Sequence, residues 1–290
     1  MKIAFSPCPN DTFIFHAWVH GLVPNAPALD VTFADINITN ELAINNNENN
    51  SKNNNNFDIM KISYAALPWV LSEYALLPCG GAMGRGCGPL VLAKDSTSDA
   101  SYLTNKRVAI PSERSTAYLL FRLWATQQVS GKLREIVIMP FDKIMPAVAD
   151  GSIDAGLVIH EARFTYQNYG LHKLADLGNW WEADTGLPIP LGAIIARRTL
   201  DLPNIINWIR TSVEYAWANP NASDSFVMQH AQELSNEVAK SHIELYVNKY
   251  SSNLGQDGYN AVMALLGRAA DEGLVPKLRA EDIILDKNVR

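Results

Sequence analysis

The chain has little of what marks several large protein classes. No apolar stretch reaches the roughly 18 residues that a membrane span needs, so no membrane partner is expected. Basic residues do not cluster. With 24 Lys and Arg against 30 Asp and Glu the net charge is −6, which is no footprint for nucleic acid. Cysteine is scarce: Cys8, Cys79 and Cys87 are odd in number and lack CxxC spacing. A disulfide framework and a zinc site are therefore not expected, and the thiols read as small packed hydrophobes.

Several catalytic signatures are missing too. No GxxxxGKS or GxxxxGKT phosphate loop occurs, and SPCPND stands where a dinucleotide-binding strand would continue into glycines. There is no GxSxG elbow and no support for a Cys–His nucleophile. His16 and His20 lie four apart on an expected helix, but no HExxH glutamate separates them and no third ligand is evident, so no metal is expected. The opening MKIAFSPCPND has one lysine, few apolar residues and early prolines. That is unlike a secretory signal and predicts a cytoplasmic protein.

What is present is ordinary globular composition: 290 residues, 48% hydrophobic and 19% charged, enough for one large or two medium domains. Lys2–Phe5 and LDVTFADI read as strands. TFIFHAWVHGL between them reads as a helix ending at Gly21, with Asn10 or Asp11 as its cap. NELAI starts another helix. NNNENNSKNNNN (45–56) has nine asparagines in twelve residues and predicts a disordered loop. FDIMKISYAALPWVLSEY predicts strand, turn and helix. The glycines of LLPCGGAMGRGCGPLVLAK predict irregular backbone or close approach. RVAIPSERSTAYLLFRLWATQ, and EIVIMPFDKIMPAVADGSIDAGLVIHEARF after it, alternate strand and helix. LHKLADLGNWWEADTGLPIPLGAIIARR predicts returning strands, and helices follow from about Leu202.

Alternating elements predict an α/β fold with mainly parallel sheets. PLVLAK leaves one βα region and PLGAIIARR returns from a second. This predicts two lobes, residues 1–92 with 199–290 and residues 93–198, and a ligand cleft between them. FDIMKISYA also echoes IDAGLVIHEA. Aligning Asp58 with Asp154 sets Ser63 against Ile159 and Tyr64 against His160.

Polar residues gather at strand ends. AFSPCPNDTF carries Asn10 and Asp11, and AIPSERSTAY carries Ser115 and Thr116, each at an expected helix start. Helix N-termini attract carboxylates and phosphates, though plain capping explains the same pattern. GLVIHEARFTY ends a buried run at His160, where ligands sit in open α/β sheets. An imidazole there suits proton transfer, although a lone histidine is more often a packed structural one. Glu161 is expected to pair with Arg163 or solvent. Trp180-Trp181 fits an aromatic pocket or a core.

Five blocks in order, SPCPNDTFIFHAW, FDIMKISYAALP, PSERSTAYLLF, GLVIHEARFTY and LGNWWEADTGLPIPLGA, resemble the 1,4-dihydroxy-6-naphthoate synthase family of the futalosine route to menaquinone. The resemblance spans nearly the whole chain; the Asn-rich segment departs from it. It implies a periplasmic-binding-protein-like (type II) two-lobed fold and no cofactor. It also implies a lyase that converts cyclic dehypoxanthinyl futalosine, a small-molecule carboxylate, to 1,4-dihydroxy-6-naphthoate plus dihydroxyacetone. Carried onto this chain, His160 resembles the general base, and Lys61, Ile62 and Ser63, with Ser115 and Thr116, resemble substrate-contacting segments. Two alternatives stay open: chorismate dehydration in the same pathway, and a non-catalytic module binding a small carboxylate.

Overall fold

A computed structural model describes residues 1–48, 57–160, 162–231 and 235–283. The chain divides into two compact units, Met1–Gly84 with Pro190–Arg290, and Arg85–Ile189. Both junctions fall earlier in the chain than the boundaries expected after residues 92 and 198.

The first unit opens with β1 (Lys2–Phe5), α1 (Pro9–Val19), β2 (Asp30–Phe33), α2 (Ile36–Glu48) and β3 (Ile59–Ser63). A 3-10 turn over Tyr64–Trp69 follows in place of the expected helix, with Pro68 inside it, and then β4 (Tyr74–Leu76) and β5 (Ala82–Gly84). The second unit holds β6 (Leu90–Ala93), β7 (Arg107–Ile110), α3 (Thr116–Gln128), β8 (Glu135–Ile138), α4 (Phe141–Ala149) and β9 (Ala155–Val158). It continues with α5 (Ala162–Thr165), β10 (His172–Asp176) and α6 (Leu177–Thr185), the last a helix where only strands were expected. Asp176 explains α6: its carboxylate accepts the Gly178 and Asn179 N–H groups and caps the first turn. The chain then returns through β11 (Ile189–Arg197) to α7 (Leu202–Ala218), α8 (Asp224–His230), α9 (Asn236–Tyr246), α10 (Lys249–Ser252) and α11 (Gly255–Asp271).

Both sheets are mixed, which corrects the mainly parallel expectation. The first runs β2-β1-β3-β11-β4, with β5 on β11; the second runs β8-β7-β9-β6-β10. In each, a three-stranded parallel core (β2-β1-β3, β8-β7-β9) is extended by antiparallel pairings, β3-β11-β4 in the first and β9-β6-β10 in the second. Alternating βα units dictate parallel neighbours. A strand arriving from a distant segment has no crossover to fix its direction.

The sequence echo corresponds to this repeated topology. Asp58 sits just before β3 and accepts the Lys2 N–H at the start of β1 at 2.8 Å. Asp154 sits just before β9 and accepts the Arg107 N–H at the start of β7 at 2.8 Å. Each carboxylate closes the first rung of a parallel pair.

The first core forms because α1 is apolar nearly all round. Phe13, Ile14, Phe15, Ala17 and Trp18 are buried in it, against Ile205, Ile209 and Val213 of α7. Asn10 and Asp11 do not cap α1. The N-cap is Cys8, with Pro9 in the first turn, and both polar residues lie inside the helix. In the second unit Leu90, Leu92, Val158, Ile144 and Val148 form the core. Gly88 and Gly178 meet backbone to backbone there, since a Cβ on Gly88 would stand 2.2 Å from the Gly178 nitrogen. Trp181 is buried and donates to the Pro188 carbonyl, while Trp180 donates to Gln127, so this pair does not line an aromatic pocket together. Of the Asn-rich stretch, residues 45–48 complete α2 rather than a loop; residues 49–56 lie outside the described residues.

Cys79 and Cys87 are buried, and burial pushes both thiols up to about 12. The rings of His16 and His20 lie tilted at 4.4 Å beside Phe226, and His230 of α8 stacks on Phe33 at 4.0 Å. Among the described residues no group of three His, Cys, Asp or Glu side chains could hold a metal. Burial lowers His16 below the ordinary 6.5, helped by the charge of His20, and burial lowers His230 as well. The unfolded chain then binds protons first, so stability falls as pH drops from about 6.5 through the depressed folded values. Melting temperature should decline over that window, and a His16→Phe, His230→Phe variant should flatten the decline.

Candidate functional site

Within each unit the residues singled out by sequence lie at the carboxyl ends of adjacent parallel strands, the usual ligand edge of an α/β sheet. In the first unit Asn10 and Asp11 follow β1, and Lys61, Ile62 and Ser63 end β3. In the second, Ser115 and Thr116 follow β7 and His160 follows β9.

The first cluster is a buried ion pair with a polar frame. Lys61 Nζ contacts Asp11 Oδ1, both side chains being 3% exposed or less. Asn10 Nδ2 donates to the same oxygen at 2.7 Å, and Ser6 Oγ donates to Oδ2 at 2.7 Å. The start of α1 thus already carries its own carboxylate, one that holds a cation. Ile62 faces the core and pairs with Ala193 of β11. Ser63 differs from both: its N–H reaches Asn40 Oδ1 at 2.8 Å, and its Oγ accepts from Asn40 Nδ2 at 3.0 Å. That arrangement leaves the hydroxyl hydrogen of Ser63 to donate elsewhere.

Gly192 of β11 makes room for Lys61, because a Cβ there would lie 2.5 Å from Lys61 Cε. Gly192→Ala should therefore lower unfolding free energy by about 1–3 kcal/mol, the usual range for overpacking. Urea denaturation reads this, and the penalty should largely vanish in a Lys61→Ala background.

In the second cluster Ser115 is the N-cap of α3. Its Oγ accepts the Tyr118 N–H at 3.1 Å and donates to the Ser112 carbonyl at 2.8 Å. Thr116 opens the helix and is buried. This turn presents the positive end of a 13-residue helix. His160 is half-buried, with its ring edge-on to Phe141 at 5.8 Å. Its φ is 55°; the other positive-φ residues besides glycine among those described are Asn25 and Asn105. The left-handed region costs most L residues about 1–2 kcal/mol, and asparagine tolerates it best. The segment after His160 is anchored by Arg163, which donates to the Gly88 carbonyl at 2.8 Å and to Asp176 at 2.6 Å. Arg163 pairs with Asp176; the expectation that Glu161 meets Arg163 or solvent falls on a residue outside the described ones. Ser6, Asn40, Gly192 and His242, whose Nε2 lies 3.0 Å from Asn10 Oδ1, had no signature in the sequence beyond their residue type.

Among the described residues no helix is long and apolar enough to cross a membrane. Comparison with known proteins adds three findings. The family model described as menaquinone biosynthesis matches residues 1–271. Curated 1,4-dihydroxy-6-naphthoate synthases are similar: that of Streptomyces coelicolor is 61% identical over 96% of this chain and 95% of its own, and that of Thermus thermophilus 43% identical over 94% and 95%. Among solved structures, a protein of Archaeoglobus fulgidus superimposes with a TM-score of 0.83 at 34% identity, over 94% of this chain and 98% of that one. The periplasmic aliphatic sulphonate binding protein of Escherichia coli superimposes at 0.68 with 12% identity, over 99% and 92%, a likeness of fold alone. The fold is periplasmic-binding-protein-like, mixed α/β with two sheets. Identity sustained from end to end, together with the family model, places the sequence among relatives rather than mere fold neighbours: the chain belongs to the 1,4-dihydroxy-6-naphthoate synthase family of menaquinone biosynthesis.

Proposed function

We propose that this protein is a carbon–carbon lyase that converts cyclic dehypoxanthinyl futalosine to 1,4-dihydroxy-6-naphthoate and dihydroxyacetone, with His160 as general base. Family membership supports the pathway. The observation that carries the base assignment is the strained backbone of His160 at the end of β9. Strain of this kind persists where the surrounding structure imposes it, and it clusters at functional sites.

The chemistry needs few parts. A hydroxyl of the sugar-derived ring loses its proton to a neutral His160, the adjacent C–C bond breaks in the retro-aldol sense, and aromatisation drives the step. The start of α3, with Ser115 and Thr116, offers N–H groups and a positive dipole end to the substrate carboxylate. Ser63 offers its hydroxyl hydrogen. Lys61, held by Asp11, steadies charge developing on the substrate as the bond breaks. No cofactor takes part, and the reaction is assigned to the cytoplasm.

The purified protein should be given cyclic dehypoxanthinyl futalosine and chorismate in separate reactions, with products identified by mass spectrometry. Dihydroxynaphthoate from the first alone is expected. Turnover of chorismate would instead indicate the dehydratase. Saturable binding of the first compound with its return unchanged would indicate a binding module, which this fold also serves.

A further inference from the structure

We infer that His242 of α9 is a positioning residue for Lys61, acting through Asn10 and Asp11. This rests on the proposed role of Lys61 in the lyase reaction.

His242 is 1% exposed, in a helix interior where an aliphatic side chain would pack without polar atoms to satisfy. Its Nε2 lies 3.0 Å from Asn10 Oδ1, a residue 232 positions away. The charge of Asp11 sets the direction of this contact. Asn10 faces the Asp11 carboxylate at 2.7 Å, so it must present its amide N–H groups there and its oxygen to the imidazole. His242 Nε2 therefore carries a hydrogen and donates. The chain runs His242 to Asn10 to Asp11, whose same Oδ1 contacts Lys61 Nζ. Removing the imidazole donor frees the Asn10 side chain to turn. The carboxylate then loses a fixed partner, and the ammonium loses its defined position.

A purely structural histidine would matter through its ring, which lies 4.5 Å from that of Tyr246. Two substitutions separate ring from donor. His242→Phe keeps a ring against Tyr246 and removes the donor. His242→Gln removes the ring and restores an amide N–H near the former Nε2. The expected result is that His242→Phe lowers kcat by up to about 100-fold, the scale of a misplacement near 1 Å, with KM little changed. His242→Gln should keep kcat close to wild type. Near-normal turnover in both, an active Phe variant beside an impaired Gln variant, or equal losses that follow melting temperature would each overturn the inference. The lyase reading fails separately, if the wild-type protein makes no dihydroxynaphthoate. The amine nitrogen NMR signal of Lys61 then decides: it should shift in His242→Phe and stay in place in His242→Gln, and no shift in either would overturn the inference.

Discussion

Replacing His160 with asparagine is expected to lower kcat by roughly 100- to 10,000-fold, the range for loss of a general base, while the protein melts at or above the wild-type temperature. The two effects separate because the backbone and the ring of His160 do different things. The backbone sits at a φ of 55°, which asparagine occupies more comfortably than histidine. The ring makes an edge contact with Phe141 and is only half-buried, so its loss removes little core area. A stable, folded and nearly inactive variant is the signature of a residue kept for chemistry at a cost in stability. Equal loss of turnover and stability would make His160 a structural residue instead. The comparison takes one melting curve and one progress curve per protein.

Lys61→Met should destabilise the protein by about 3–5 kcal/mol, because it leaves the buried Asp11 carboxylate without its cation. Asp11 keeps Ser6 and Asn10 as donors, but neither neutralises a charge on a side chain 2% exposed. Adding Asp11→Asn should recover much of the loss, since two neutral groups of similar shape carry no unpaired charge. Activity should not return with stability, because the ammonium is gone. Urea denaturation midpoints for the two variants and the wild type test the first claim; kcat of the double variant tests the second. If the single variant were as stable as wild type, the ion pair would contribute nothing to the fold.

The sequence disclosed some of this readily. Lys2–Phe5 matches its strand because an apolar run ends at prolines. The Asp58 and Asp154 echo marks two strands with the same pairing. Ser115 reads as a cap because hydroxyl capping is local chemistry. Other features depend on partners far away in the chain. Asn10 and Asp11 look like caps, yet their side chains answer to Lys61 and His242, which no local pattern reveals. The role of Gly192 follows from the Lys61 stem crossing it. Helix α6 hides behind Trp-Trp and a short polar run until Asp176 is seen capping it. The antiparallel strands look like any others, since direction belongs to the connection and not to the strand.

The most direct test of the lyase reading is to quantify both products of one reaction. Wild-type protein incubated with cyclic dehypoxanthinyl futalosine should release dihydroxyacetone and 1,4-dihydroxy-6-naphthoate in equal amounts as substrate disappears. Disappearance of substrate without the three-carbon fragment, or naphthoate formed without it, would contradict carbon–carbon cleavage as the step this protein catalyses.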